Sequence, residues 1–113
     1  ENKAFRDAYH AKYGDSYDYP TSVATLAYNG MKVIGKMIEA TDGKRDGQKA
    51  VDAVKGFSWN GPGGPASIDP QTREITQNMY IREVAKDGNG KLYNKLIYTF
   101  HDVKEPWHEQ HKK

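Results

Sequence analysis

Histidine is the residue type in this chain best suited to bind metal ions or to move protons near neutral pH. His108 and His111 lie three residues apart, a spacing that suits two ligands of one zinc ion, whereas His10 and His101 are isolated. A zinc site also needs a third ligand and a rigid frame. Because the pair lies in a lysine-rich tail, where side chains are ordinarily solvated, we predict no metal site.

The usual residue patterns for covalent or acid–base catalysis are missing as well. The chain has no cysteine, which excludes thiolate chemistry, disulfides and thiolate metal sites. No Ser/His/Asp combination lies in a recognisable nucleophile context, and Asp69 and Glu74 are loop charges rather than a paired acid and base. We therefore predict no catalytic residues and a protein that is not an enzyme.

A loop rich in glycine and proline, FSWNGPGGPASIDP, occupies residues 57–70. Such loops can hold phosphate groups, but this one lacks the GxGxxG and Walker patterns, and no helix follows to supply a dipole. The net charge of +2 is small, and the lysines are spread along the chain. We therefore predict neither a cofactor nor a nucleic-acid partner.

The element that must position any binding site is a long helix predicted over residues 20–39. Pro20 disfavours helix before it, Thr21 or Ser22 can cap its start, and Gly43 can end it. Its apolar residues recur at three- and four-residue steps: Val23, Leu26, Ala27, Gly30, Met31, Ile34, Met37 and Ile38. A stripe this broad indicates a core helix that another element must cover.

Two shorter helices are predicted on either side of the long one. Residues 3–13 place alanines and aromatic residues at helical spacing before Gly14, and Asp46 can cap a second helix that Gly56 ends. Within the loop that follows, Phe57 and Trp59 alternate with polar neighbours as a short extended piece. Residues 66–68 form a second extended piece, and residues 69–72 form a turn.

The second half of the chain changes to the two-residue period of β-strands. Residues 78–86 and 91–100 predict a β-hairpin, because residues 87–90, Asp-Gly-Asn-Gly, are a strong turn signal. The alternation predicts one buried face, made of Leu92, Leu96, Tyr98 and Phe100. A lone hairpin is barely stable in water, so it must join a larger sheet.

The predicted elements do not form a self-sufficient domain, because no central strands are present to receive the helices. Either a partner supplies the missing sheet, or these residues belong to a longer chain. We expect the 113 residues alone to self-associate or to need their missing N-terminal part. The eight tyrosines suit half-buried packing or a surface that recognises a polar ligand.

The ordered series of segments resembles the C-terminal part of type I periplasmic binding proteins, the receptors of ABC importers of the branched-chain amino acid type. It begins with F-x3-Y-x3-YG at residues 5–14 and A-x2-AYNG-x2-VIGK-x-IEATDG at residues 24–43. It continues through the short helix, the glycine-rich loop and the hairpin to VKEPW. The resemblance covers essentially the whole chain and implies a two-lobe α/β, Rossmann-like fold, represented here by three helices followed by a β-hairpin.

The resemblance also implies which residues belong to which lobe and which border the solute. Residues 1–76 would belong to the N-terminal lobe, and residues 77–113 would form crossover strands, hairpin and tail of the C-terminal lobe. The start of the long helix would border the cleft between the lobes. The candidate ligand-binding residues are Ser22, Thr25, Tyr28 and Tyr19; helix capping is the alternative for Ser22, and packing the alternative for Tyr28.

By the same resemblance the complete protein would bind an amino acid or related small organic solute and deliver it to ABC transporter membrane subunits. Aromatic acids, amides and urea are further possible solutes. The expected location is the periplasm, or the cell surface as a lipoprotein, and these 113 residues show no signal segment. The alternative is a small interaction or assembly domain that pairs with another chain through its helix face and hairpin edge.

Overall fold

The computed structural model describes residues 1–14 and 20–111 as helices followed by an antiparallel sheet. Three helices come first, α1 (Asn2–Tyr13), α2 (Ser22–Thr41) and α3 (Gly47–Val54), and a short helix, α4 (Pro106–Gln110), comes last. Between them lie four strands: β1 (Ser58–Gly61), β2 (Gly64–Ile68), β3 (Ile75–Lys86) and β4 (Leu92–Val103). The predicted α/β class and the three leading helices are confirmed.

Helix α2 ends as its sequence predicts, because its last turn is closed by residues in left-handed conformation. Asp42 has φ 53° and Gly43 has φ 69°, and their N–H groups donate to the carbonyls of Glu39 and Ile38. Helix α3 begins at its predicted cap, where the Asp46 side chain accepts a hydrogen bond from the Lys49 N–H at 2.9 Å.

The long helix buries only one side of its apolar surface. Helix α3 packs against it, and there Thr41 and Val54 are 7% and 6% exposed. The side formed by Val23, Leu26, Met31, Ile34 and Ile38 is 45–70% exposed. We call these five residues the α2 stripe. The described part of the chain thus contains no element that covers the stripe.

The four strands form one sheet in the order β1-β2-β3-β4, with all neighbours antiparallel. Strand β2 pairs only with residues 75–77 of β3, whereas β3 pairs with β4 from Gln77 to Lys86. The hairpin therefore joins a larger sheet, as predicted, and the short strands β1 and β2 of this same chain supply the rest of that sheet. Strand β3 therefore pairs with β2 up to Gln77 and with β4 from Gln77 onward.

The predicted turns at residues 69–72 and 87–90 are both confirmed. In each, an aspartate side chain accepts hydrogen bonds from backbone N–H groups. Asp87 Oδ1 accepts from Asn89 and Lys91 at 2.9 Å. Asp69 Oδ1 accepts from Thr72 at 3.1 Å and from Gln71, while its Oδ2 lies 3.0 Å from Lys104 Nζ. The Thr72 N–H, then Lys104 and the Gln71 N–H lower the pKa of Asp69 to about 2. This carboxylate joins the β2–β3 turn to the end of β4.

The predicted apolar face of the hairpin is wrong, because β4 contains a β-bulge. Arg82 lies opposite Leu96 and Ile81 lies opposite Tyr98, so Ile97 has no opposite residue. An extra residue reverses the alternation, which places Tyr98 and Phe100 on the opposite face from Leu92 and Leu96. All four side chains are also exposed, by 49–60%, so neither face is buried by the described residues.

The molecule is thin and extended rather than compact. Its extents are 52 × 38 × 16 Å and its radius of gyration is 17.2 Å, whereas a compact domain of this length has a radius of gyration of about 13 Å. Among residues 1–14 and 20–111, no helix combines the length and the apolar character needed to cross a membrane.

Candidate functional site

The predicted ligand-binding residues lie in the first two turns of α2. Thr21 is the N-cap residue, and within the described chain its side chain makes no capping hydrogen bond. Ser22 is the first helical residue and is exposed, so capping does not account for it, and Thr25 is half-buried one turn further on. Tyr19, the fourth candidate, lies outside the described residues.

Tyr28 joins α2 to the start of α1. Its hydroxyl donates a 2.5 Å hydrogen bond to Glu1 Oε1, and its ring meets the edge of Phe5 with centroids 5.1 Å apart. The hydrogen bond raises the pKa of the Tyr28 hydroxyl and lowers the pKa of the Glu1 carboxyl. Through these contacts Tyr28 packs between the two helices.

The β1–β2 turn is held by side chains from three different elements. Asn2 Nδ2 of α1 donates to the Pro62 carbonyl at 2.6 Å, and the Tyr80 hydroxyl of β3 donates to the Gly63 carbonyl at 2.5 Å. Gly64 has φ 103°, and a Cβ added there would lie 2.6 Å from the Tyr80 hydroxyl. The glycines therefore allow close backbone approach, which explains the Gly/Pro-rich sequence without a bound phosphate.

Asn29 fixes this turn to the long helix. It is only 8% exposed, and its Oδ1 accepts a 3.1 Å hydrogen bond from Trp59 Nε1 of β1. A Cβ added to Gly61 would collide with the same Oδ1 atom. Together with Asn2 and Tyr80, Asn29 builds a polar junction where α1, α2, β1 and β3 meet.

Sequence reasoning missed this junction. The apolar positions predicted for the long helix do not include Asn29, whereas the structure buries Asn29 against Trp59. The signal that could have found it is the run of glycines and prolines at residues 61–65, because glycine in a strand often marks close approach of another backbone or side chain.

A groove of about 580 Å³ separates α1 from α2 beside Tyr28. It is lined by alanines from both helices, Ala4, Ala8, Ala24 and Ala27, and by the larger side chains of Phe5, Tyr9, Tyr13 and Met31. Lys12 also lines the groove. Among the side chains that the structure describes, no group of three or more His, Asp or Glu could hold a metal ion. The side chain of His108, one of the two tail histidines considered above, lies outside them.

The fold matches that of solute-binding proteins of ABC transporters. The structure superposes with a TM-score of 0.82 on one from Rhodopseudomonas palustris HaA2 in complex with p-hydroxybenzoic acid, at 51% identity over 92% of this chain and 28% of that chain. A protein from R. palustris BisB5, in complex with 3,4-dihydroxybenzoic acid, has the same TM-score and 41% identity, over 93% of this chain and 28% of that chain. The class of protein is thus the type I periplasmic binding proteins.

Residues 1–89 match the model of the periplasmic binding protein family, and the chain belongs to this family. The chain is 61% identical over 80 residues to Leu/Ile/Val-binding protein homolog 6 of Brucella abortus (strain 2308), which is 71% of this chain and 20% of that relative. It therefore spans about a fifth of the length of the curated relative. The predicted resemblance is confirmed.

Replacing Asn29 by alanine in the complete protein should lower the free energy of unfolding by about 1–3 kcal/mol. The change leaves the Trp59 indole N–H without its acceptor in a part-buried site. Urea unfolding followed by tryptophan fluorescence measures the loss. Asn60→Ala, at an exposed position next to Trp59 on β1, is the control and should change the free energy of unfolding by less than about 0.5 kcal/mol. Equal losses of unfolding free energy in the two variants would contradict a stabilising role for the hydrogen bond between Asn29 and Trp59.

Proposed function

We propose that these residues are part of the extracytoplasmic solute-binding component of an ABC importer, and that the solute is a hydroxylated benzoic acid. The carrying observation is the 51% and 41% identity to two solute-binding proteins whose structures contain p-hydroxybenzoic and 3,4-dihydroxybenzoic acid. Branched-chain amino acids are the second candidate, favoured by the 61% identity to the Leu/Ile/Val-binding homolog. Both solute classes carry a carboxylate.

In this proposal residues 1–76 belong to the N-terminal lobe and residues 77–113 to the C-terminal lobe. The change of pairing partner of β3 at Gln77 supports the division, because a crossover strand must leave one sheet region and enter another. The solute lies in the cleft between the lobes, bordered by Ser22 and Thr25 at the start of α2. Tyr28 and Tyr19 are secondary candidates.

The proposal has further parts, which membership of the family supports. The complete receptor works in the periplasm or at the cell surface and passes its solute to the membrane subunits of the transporter. It is not an enzyme, and it needs neither a metal ion nor a cofactor. Nucleic acid is not a partner.

The test is calorimetric titration of the complete receptor with p-hydroxybenzoate and with leucine. p-Hydroxybenzoate should bind with one-to-one stoichiometry, and Thr25→Trp should weaken that binding at least about tenfold by filling the cleft wall. Binding of leucine instead would favour the second candidate. Gln48→Trp, an equally bulky change at an exposed position of α3, should leave affinity unchanged. Circular dichroism should show both variants folded. Binding of neither solute, or equal affinity of the two variants, would contradict the proposal.

A further inference from the structure

Asparagine followed directly by glycine occurs three times in the chain, at residues 29–30, 60–61 and 89–90. In peptides this pair loses its side-chain amide readily, because glycine has no side chain to shield its backbone nitrogen. The structure places the three pairs in the long helix α2, in strand β1 and at the tip of the hairpin. Because the dipeptide is the same in all three, its surroundings decide which asparagine reacts.

The reaction requires the backbone of the pair to move. The glycine nitrogen, after losing its proton to base, attacks the side-chain carbon Cγ of the asparagine. A bond forms between that nitrogen and Cγ, the bond between Cγ and Nδ2 breaks, and Nδ2 takes up a proton and leaves as ammonia. Water then opens the resulting succinimide ring at either carbonyl and leaves aspartate or isoaspartate. A backbone that is fixed by its hydrogen bonds must first open locally.

Asn29 is protected by the helix and by its own burial. Its pair lies in the interior of α2, where backbone N–H groups donate to carbonyls four residues earlier. The Asn29 side chain is 8% exposed, and its Oδ1 accepts a hydrogen bond from Trp59 Nε1. Attack on Asn29 therefore requires both the helix and the polar junction to open.

Asn60 is exposed, but the backbone of its pair is restrained. In the pairing of β1 with β2, Gly61 lies opposite Gly64. Gly61 is itself buried, and Asn29 Oδ1 lies where a Cβ would project from it. The next two carbonyls along the chain accept the hydrogen bonds of the polar junction. Movement of this pair therefore disturbs contacts with α1, α2 and β3.

The third pair lies in the hairpin turn, where the restraining hydrogen bonds are local. Asn89 is exposed, and Gly90 has a left-handed φ of 78°. Apart from its chain neighbours, no heavy atom of the described residues lies within 4 Å of a Cβ added to Gly90. Its N–H donates to the Asp87 carbonyl at 3.0 Å, and Asp87 Oδ1 accepts from Asn89 and Lys91. A turn closed by such short-range bonds opens without disturbing the rest of the sheet.

We propose that Asn89 is the site of spontaneous deamidation among residues 1–113, and that the fold protects Asn29 and Asn60. The product carries a new carboxylate close to Asp87, and its isoaspartate form lengthens the main chain of the turn by one carbon. Asp87 restrains the reaction, because it holds the N–H groups of the turn, including that of Gly90. The site does not depend on which solute the protein binds.

The experiment incubates the complete protein in mildly alkaline buffer and follows the peptide around each asparagine by mass spectrometry. Asn89 should deamidate at least about tenfold faster than Asn29 and Asn60, and should give both aspartate and isoaspartate. In concentrated urea, which removes the fold, the three should react at similar rates. Asn94, exposed in the same hairpin but followed by Lys95, is the internal control and should keep its amide in both conditions.

Equal rates at the three asparagines in the folded protein would overturn the proposal, and so would the same order of rates in urea as in buffer. An intact Asn89 in the folded protein, after the unfolded protein has reacted fully, would also overturn it.

A pair of variants tests the restraint by Asp87. Asp87→Ala removes the carboxylate that binds two N–H groups of the turn and should speed deamidation of Asn89 several-fold. Asp46→Ala removes a carboxylate that binds a backbone N–H at the start of α3, and this control should leave the Asn89 rate unchanged. Equal rates in the two variants would overturn the role of Asp87 and leave the site in place.

Discussion

Residues 1–113 expressed alone should show no measurable affinity for p-hydroxybenzoate or leucine, whereas the complete receptor should bind one of them tightly. A small solute is held by burial of most of its surface between convergent polar groups. The chain spans 20–28% of the relatives described above, so most of the cleft that we propose would be missing. Losing two or three charged hydrogen bonds at about 1.5–3 kcal/mol each removes several powers of ten in affinity.

Calorimetry on the two proteins under identical conditions decides this prediction. Circular dichroism of the 113-residue chain is the necessary control, because an unfolded chain would fail to bind for a trivial reason. Tight one-to-one binding by the short chain would contradict the prediction. The 113-residue chain would then be an independent solute-binding domain.

The isolated chain should also self-associate at micromolar concentration into a dimer or larger species. The α2 stripe is 45–70% exposed, and both faces of the outer hairpin carry exposed apolar side chains, such as Val84, 68% exposed, and Tyr98, 58% exposed. Apolar patches of this extent drive association, since contact between copies removes them from water. Sedimentation velocity measures the species present.

A matched pair of variants identifies the surface responsible. Leu26→Lys with Ile34→Lys places two charges in the stripe and should weaken association at least about tenfold. Gln48→Lys with Ala53→Lys adds the same charge on α3 and serves as the control. A single compact monomer with a sharp melting transition would count against the prediction. A single defined oligomer with cooperative melting would favour the alternative function, an assembly domain.

Local features of the fold were predictable because their causes lie within a few residues of each other. The end of α2 follows from the left-handed conformation of Asp42 and Gly43. The hairpin turn follows from Asp87, whose side chain accepts hydrogen bonds from the N–H groups two and four residues later. The family was predictable for a related reason: the ordered motifs are read directly from the sequence, and the match to residues 1–89 confirms them.

The faces of the hairpin were not predictable, because they depend on pairing between strands. Strict alternation in β4 predicts one apolar face, but the unpaired Ile97 transfers Tyr98 and Phe100 to the other face. Nothing in the alternation of β4 marks that residue, since its lack of a partner is decided by how β3 aligns with it. Burial was misjudged for the same reason: Leu92, Leu96, Tyr98 and Phe100 are exposed because no other described element covers them.

The sequence by itself therefore determined the helices, the turns and the family. Only the tertiary structure decided that Asn29 is buried against Trp59. Periodicity and turn chemistry report interactions across a few residues of one segment. The environment of a side chain is instead set by contacts between distant segments, and these form only when the sheet brings α1, α2 and β3 together at the β1–β2 turn.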